Sequence, residues 1–317
     1  MKWLYSLLAF AAVQVVSAAP SEHLVKRAGV NDVATVGYAT LNGGTSGGSG
    51  GTTTTVTTLA ALTAAVSGTA KKIVIISGTI TGNTAVNVGS NTSVLGQKGA
   101  ALVGVGLRVL NEKNVIIRNI KISKVLAAAG DAIGIQASSQ VWVDHVDVSS
   151  DRDHDKDFYD GLIDITHGST GITVTGSKIS NHWKAALIGH SDSNGAEDAK
   201  LTVTIANNYW TNLNSRTPSF RFGTGHIFNN VFDGNTDGIN TRQGAQLLVE
   251  NNVWTATTTP LYSTDGGFAV ARGNDFGGAA NTAPAGTFTK APYSYSLTAT
   301  ASVRSSVVSA AGATLSF

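Results

Sequence analysis

Seven short stretches of the chain share one pattern: VIIRNIKIS, VWVDHVDVS, ITVTGSKIS, LTVTIANNYW, HIFNNVFDG, LLVENNVW and FAVARGNDFG. In each, apolar residues alternate with others, a small polar residue interrupts the run, and another apolar residue follows. A period of two marks strands with one buried face. Aligning the interruption puts Asn119, His145, Lys178, Asn208, Asn230, Asn252 and Asn274 in one column. The last three steps are 22 residues each, whereas the earlier ones are 26, 33 and 30, so loops enter the early turns. A repeat of this length holds about three short strands and predicts a parallel β-helix, whose coils share one continuous core. The four asparagines at 208, 230, 252 and 274 suit a hydrogen-bonded ladder, or simply turn chemistry.

Ahead of the coils, Leu41 to Thr55 is rich in Gly, Ser and Thr. TLAALTAAVSG then has helical apolar spacing and ends in Gly68, which predicts a short helix capping the open end of the β-helix. Lys71-Lys72-Ile-Val-Ile-Ile is expected to start the first strand. Residues 279–317 lose the period and are expected to pack along the outside.

Composition refines this picture. With 317 residues and 42% hydrophobic, the chain can bury a substantial core. Met1-Lys2, the apolar run Leu4 to Val16 and the small residues Val16-Ser17-Ala18 read as a signal peptide over 1–19. PSEHLVKR ends in the dibasic pair Lys26-Arg27 and reads as a pro-segment over 20–27, leaving 28–317 as a single domain. No later apolar run is long enough for a membrane helix, so a secreted, extracellular monomer is expected. Cys is absent, so burial and backbone hydrogen bonds must stabilise it without disulfides. Removing residues 1–27 leaves 19 basic and 19 acidic residues. No global field favours nucleic acid, and attraction for an anionic partner must be local. Asn91-Thr-Ser is a glycosylation sequon.

The candidate chemistry lies where the loops enter. Asp160 and Asp164 are spaced by four, with Gly161 permitting a bend, and Asp131 sits at the mouth of the preceding coil. Stacked coils lie roughly 4.8 Å apart, so Asp131 and Asp164 can be neighbours. Three gathered carboxylates repel unless a cation joins them, and all-oxygen ligation favours Ca²⁺. Lys184, Arg216 and Arg221 are the cationic counterpart; Pro218 stiffens the Arg216–Arg221 segment, few acids stand nearby in sequence, and Arg recognises carboxylates through its bidentate fork. Asp151, Asp153, Asp155 and Asp157 read as mostly solvated. Trp142, Asp144, His145 and His190 read as structural. Ser191 and Asp192 lack the surroundings of a hydrolase triad.

VWVDH, DGLIDIT, KAALIGHSD and RTPSFRFG, followed by a His and paired Asn, resemble in order the motif series of the family 1 polysaccharide lyases, the pectate lyases, in a fungal form. The resemblance runs from about residue 35 to residue 275 and includes GYATLNGGTSGGSGG. It implies an all-β, right-handed parallel β-helix with irregular loops, and Ca²⁺-dependent β-elimination on α-1,4-linked polygalacturonate giving 4,5-unsaturated products. By position, it implies that Asp131, Asp160 and Asp164 bind Ca²⁺, that Arg216 is the catalytic base, and that Lys184 and Arg221 bind substrate carboxylates. Arg242 in NTRQGA resembles a recurring family position and takes no definite role. Free arginine deprotonates only above pH 12 or so, and nearby positive charge disfavours its protonated form, so an alkaline optimum is expected.

Three other readings are open to test. A pectin lyase would act on methyl-esterified polymer without Ca²⁺, which the acidic trio argues against. A polygalacturonase would hydrolyse with paired acids. A non-catalytic carbohydrate-binding protein would need the repeats but not the three cations together.

Overall fold

Each turn of the repeat folds into three short strands, and each strand pairs in parallel with its counterpart one turn away. The computed structural model describes residues 28–317; the expected signal and pro-segments lie outside the described residues. The result is the expected right-handed parallel β-helix. One face is a ten-stranded sheet that includes Ser139–Asp144, Thr170–Thr175 and Thr202–Ala206. The second face includes Asp147–Ser149, Lys178–Lys184 and Tyr209–Ser215. The third includes Ile133–Gln136, Ile163–Thr166, Leu187–Ile188, Ser219–Arg221 and Ile239–Arg242. The long strand Ala101–Leu110 pairs with both the second and third faces and joins them into one sheet.

The alternating apolar residues point inward and form one continuous core from Val56 to Ala269. Within it Trp210, Phe232, Trp254 and Phe276 stack in successive turns, at centroid distances of 5.8, 4.7 and 5.2 Å. The helix Leu59–Ala65 is capped by Thr58, whose hydroxyl accepts from the Ala61 N–H, and it buries Leu62 over the open end. The closing helix, Thr300–Ala310, lies outside and packs Val303 and Val307 on Val231 and Val253. No helix among the described residues is long and apolar enough to cross a membrane.

Two details differ from the sequence reading. The first strand is Thr52–Val56, inside the Gly/Ser/Thr-rich stretch, and it pairs with Lys72–Ile76. A run of β-branched Thr suits an edge strand with an exposed face, where an apolar pattern is not required. The column of polar interruptions is also really three columns. Lys178 pairs with Tyr209, so Asn208 stands against Ser177. Asn119 and His145 precede that column and fall with Asn207, Asn229 and Asn251 at a corner where every one of these residues has positive φ. The true ladder runs Ser177, Asn208, Asn230, Asn252, Asn274. Each backbone N–H from Ser177 to Asn252 donates to the next asparagine's Oδ1, at 2.8 to 2.9 Å. Glycine holds the corner at Gly176 because a Cβ there would stand 2.6 Å from the His145 ring.

Candidate active site

The site forms where the second face turns into the third. Lys184 ends one strand of the second face and pairs with Ser215, the end of the next, so Arg216 follows at the same corner one turn along. Arg221 ends a strand of the third face and pairs in register with Arg242. Asp164 lies on the third face against Gly134, and Asp131 stands just before the strand that carries Gly134. Stacking therefore converts residues 85 positions apart into one cluster; the link is the coil repeat itself.

The acidic residues do meet. The Gly161 N–H donates to Asp131 at 3.1 Å, and the Leu187 N–H, one coil on, donates to Asp164 at 2.9 Å. Burial, reinforced by the charge of Asp160, pushes the Asp131 carboxyl up to about 6, while the Gly161 N–H, Asp164 and Arg216 pull the other way. Burial and the charge of Asp131 hold Asp164 well above the usual carboxylate range. Asp160 is half-exposed and 3.9 Å from the Lys184 Nζ. Among the described residues, no three acidic or His side chains close into a finished metal cage. Asp131 and Asp164 are two crowded carboxylates, with the charge of Asp160 acting on both.

The cations are less free than the sequence suggested. Lys184 is 2.7 Å from Asp157, on the loop after Ser149, and Arg221 pairs with Asp192. Arg242 reaches the same Asp192 and, at 2.7 Å, Asp265. Asp157 and Asp192 are both more than half exposed. Asp151 is not merely solvated either: it accepts from His154 and from the Tyr159 hydroxyl. These partners come from loops projecting beside the strands, and sequence distance gives no signal for them. Arg216, by contrast, makes no ion pair among the described residues; its charge acts on Asp131, Asp157 and Asp164.

Arg216 has φ 60°, a left-handed conformation uncommon for a side chain of its size. A support that sequence reasoning missed holds this turn. Half-buried Asp237 accepts from the Arg216 N–H, from the Thr217 hydroxyl at 2.7 Å and from the Tyr262 hydroxyl at 3.0 Å. The Arg216 carbonyl accepts from the Ala186 N–H at 2.9 Å. Strained residues over-determined by their surroundings cluster at working sites. His182 is fully buried beneath this corner, and burial lowers its pKa to about 4, so the ring adds no charge there at neutral pH.

Trp142, Asp144 and His145 stand elsewhere, on the ten-stranded face. Arg118 donates to Asp144 at 2.6 Å and lies over Trp142, whose indole N–H donates to Thr175 at 2.8 Å. This is a packed structural network, away from the site.

The sequence profile described as pectate lyase matches residues 5–316. The chain belongs to the pectate lyase family. The family member is accordingly an enzyme, a polysaccharide lyase. It is 58% identical to probable pectate lyase A of Aspergillus fumigatus, over all of both chains. It is 57% identical to pectate lyase A of Aspergillus niger, over 100% of this chain and 99% of that one. Among solved structures, a pectate lyase from Bacillus sp. N165 in complex with trigalacturonate superposes with a TM-score of 0.81 at 32% identity, covering 88% of this chain and 98% of that one.

Proposed function

We propose that this enzyme is a secreted, Ca²⁺-dependent pectate lyase that cleaves α-1,4-linked polygalacturonate by β-elimination. What supports the reading most is that Lys184 and Arg216 stand at the corner of the β-helix where Asp131, Asp160 and Asp164 gather. Family membership and a neighbour solved with trigalacturonate support the substrate. In this reading residues 1–19 are a signal peptide and 20–27 a pro-segment, and the working enzyme, residues 28–317, is secreted and acts as a monomer.

Asp131, Asp160 and Asp164 fit a hard cation, because buried Asp164 and half-buried Asp131 stand beside each other and their mutual repulsion is relieved by a positive ion. When bound there, Ca²⁺ supplies charge beside the uronate carboxylate, which acidifies the neighbouring C5 proton. Lys184 and Arg221 orient that carboxylate after Asp157 and Asp192 swing away from them. These two exposed acids keep the cations ordered until a substrate carboxylate takes their place. Arg216, unpaired, accepts the C5 proton. The C5–H electrons form the C4–C5 double bond, and the C4–O pair departs with the glycosidic oxygen, which is protonated by solvent.

The test is absorbance of the unsaturated product in the near ultraviolet, on polygalacturonate, with added Ca²⁺ and then with excess chelator. Product that vanishes on chelation and returns with Ca²⁺ is expected. Undiminished product in chelator, greatest on methyl-esterified pectin, would make the enzyme a pectin lyase instead.

A further inference from the structure

The insertion between Ser149 and Ile163 does more than supply Asp157. It carries Phe158, which is 43% exposed and is the one aromatic among the exposed large apolar residues described. Its setting is charged, with Asp153, Asp155, Lys156 and Asp157 close in sequence. One apolar ring in such a frame is far too small a patch for a protein interface.

The ring is also held firmly. It stacks on His154 at 4.0 Å with planes 13° apart, and it meets the buried Tyr159 edge to face at 4.9 Å. His154 is fixed by Asp151 at 2.6 Å, and its carbonyl accepts from the Trp183 indole at 2.9 Å. The Phe158 carbonyl accepts from the Ala127 N–H at 3.0 Å. The loop is thus tied to the neighbouring coil and to the strand that carries Lys184. The residue preceding Phe158 is the one whose carboxylate sits 2.7 Å from the Lys184 ammonium.

We propose that Phe158, backed by His154, is a stacking platform for a galacturonate residue beyond the one held at Lys184, making an outer subsite beside that corner. The chemistry is specific. The faces of a pyranose ring present C–H groups, and the negative face of an aromatic ring attracts them. In the reading above the sugar acid at Lys184 is met by charge, whereas the acids around Phe158 would repel a carboxylate. Phe158 therefore engages the apolar face of the sugar and not its carboxylate. Because the ring is already ordered, little conformational entropy is lost on contact. This inference rests on the lyase reading for its choice of polymer.

The experiment compares the native enzyme with Phe158→Ala, Phe158→Leu and Phe158→Tyr, using polygalacturonate and trigalacturonate as substrates. Retardation in polygalacturonate-containing native gels is measured alongside as a readout independent of turnover. Expected for Ala and Leu is a rise of about three- to tenfold in KM for the polymer. Their kcat should be unchanged, KM for the trimer unchanged, and gel retardation weaker; Tyr should restore native behaviour. Leu keeps bulk against His154 but lacks a flat face, so its failure separates stacking from loop packing. The proposal is overturned if polymer KM and retardation stay native in Ala, if Leu matches Phe, or if trimer and polymer are affected equally. A native enzyme that is retarded more than its Ala variant, yet yields no unsaturated product, would keep the platform and remove the lyase reading.

Discussion

At the scale of single residues, Arg216 differs from its cationic neighbours in two ways. It has no ion pair among the described residues, and its backbone is held in a left-handed turn by Asp237. Both suit a group that must be available and correctly aimed. Replacing Arg216 by Lys keeps a positive charge but loses the planar, delocalised head. Steady-state kinetics should show kcat falling by more than about a hundredfold while KM changes little. Near-native kcat would take the base role from this residue. A second expectation concerns the sequon. The Asn91 Nδ2 donates to the Thr69 carbonyl at 2.9 Å, its Oδ1 accepts from Asn114 at 2.9 Å, and Ser93 is 1% exposed. A glycan would replace one hydrogen of an Nδ2 that is already engaged at Thr69, in a packed corner. The secreted enzyme should keep its electrophoretic mobility on treatment with an endoglycosidase.

At the scale of elements, the asparagine ladder ties the coils together through side chains as well as strands. Asn230 is fully buried and uses its whole amide: its Oδ1 accepts from Asn208, and its Nδ2 donates to the Ile205 carbonyl at 2.9 Å and to the Asn252 Oδ1. Replacing it by Ala leaves several of these groups without partners in the interior. Each buried orphan costs about 1–3 kcal/mol, so Asn230→Ala should destabilise by about 3 kcal/mol and lower Tm by several degrees in calorimetry. The lyase activity of the surviving folded fraction should be unchanged, because this corner is remote from Lys184 and Arg216. A Tm within one degree or so of native would show that the bonds are readily replaced by water.

At the scale of the whole molecule, the aperiodic tail is fastened across the ten-stranded face by one buried network. The His226 Nδ1 is 2.7 Å from the Tyr293 hydroxyl, its Nε2 is 3.1 Å from Glu250, and the Tyr295 hydroxyl donates to Glu250 at 2.8 Å. With a carboxylate as acceptor on Nε2, that nitrogen carries the proton and Nδ1 accepts from Tyr293. Burial lowers the His226 pKa to about 4, against 6.5 for a free imidazole, despite the opposing pull of Glu250. The folded ring therefore stays neutral while the unfolded chain binds a proton below pH 6.5 or so. Stability is lost as pH falls from that value toward 4, by up to about 3 kcal/mol. A His226→Gln variant should show a shallower fall of Tm over this window. An unchanged slope would assign the acid sensitivity to other groups.

The sequence by itself determined the coil. Alternating apolar residues at a 22-residue spacing leave few other ways to bury that pattern, and the capping helix and external tail followed from where the pattern stops. It also named Asp131, Asp160, Asp164, Lys184 and Arg216, which the coils bring near one another, and Arg221 on the adjoining strand, because their motifs follow a family order. The register was legible only in part: polar corner residues look alike in sequence, and one position of slip separates the ladder asparagines from the left-handed ones. What only the tertiary structure decided was which charges touch. Asp157 on Lys184, Asp192 on Arg221 and Arg242, Asp237 beneath Arg216, and Phe158 on its ledge all depend on how loops fold back over neighbouring coils. Strand pairing follows a periodic pattern that hydrophobic burial enforces at every turn. Loop contacts obey no period, and they form between residues whose closeness exists only after the coils have stacked.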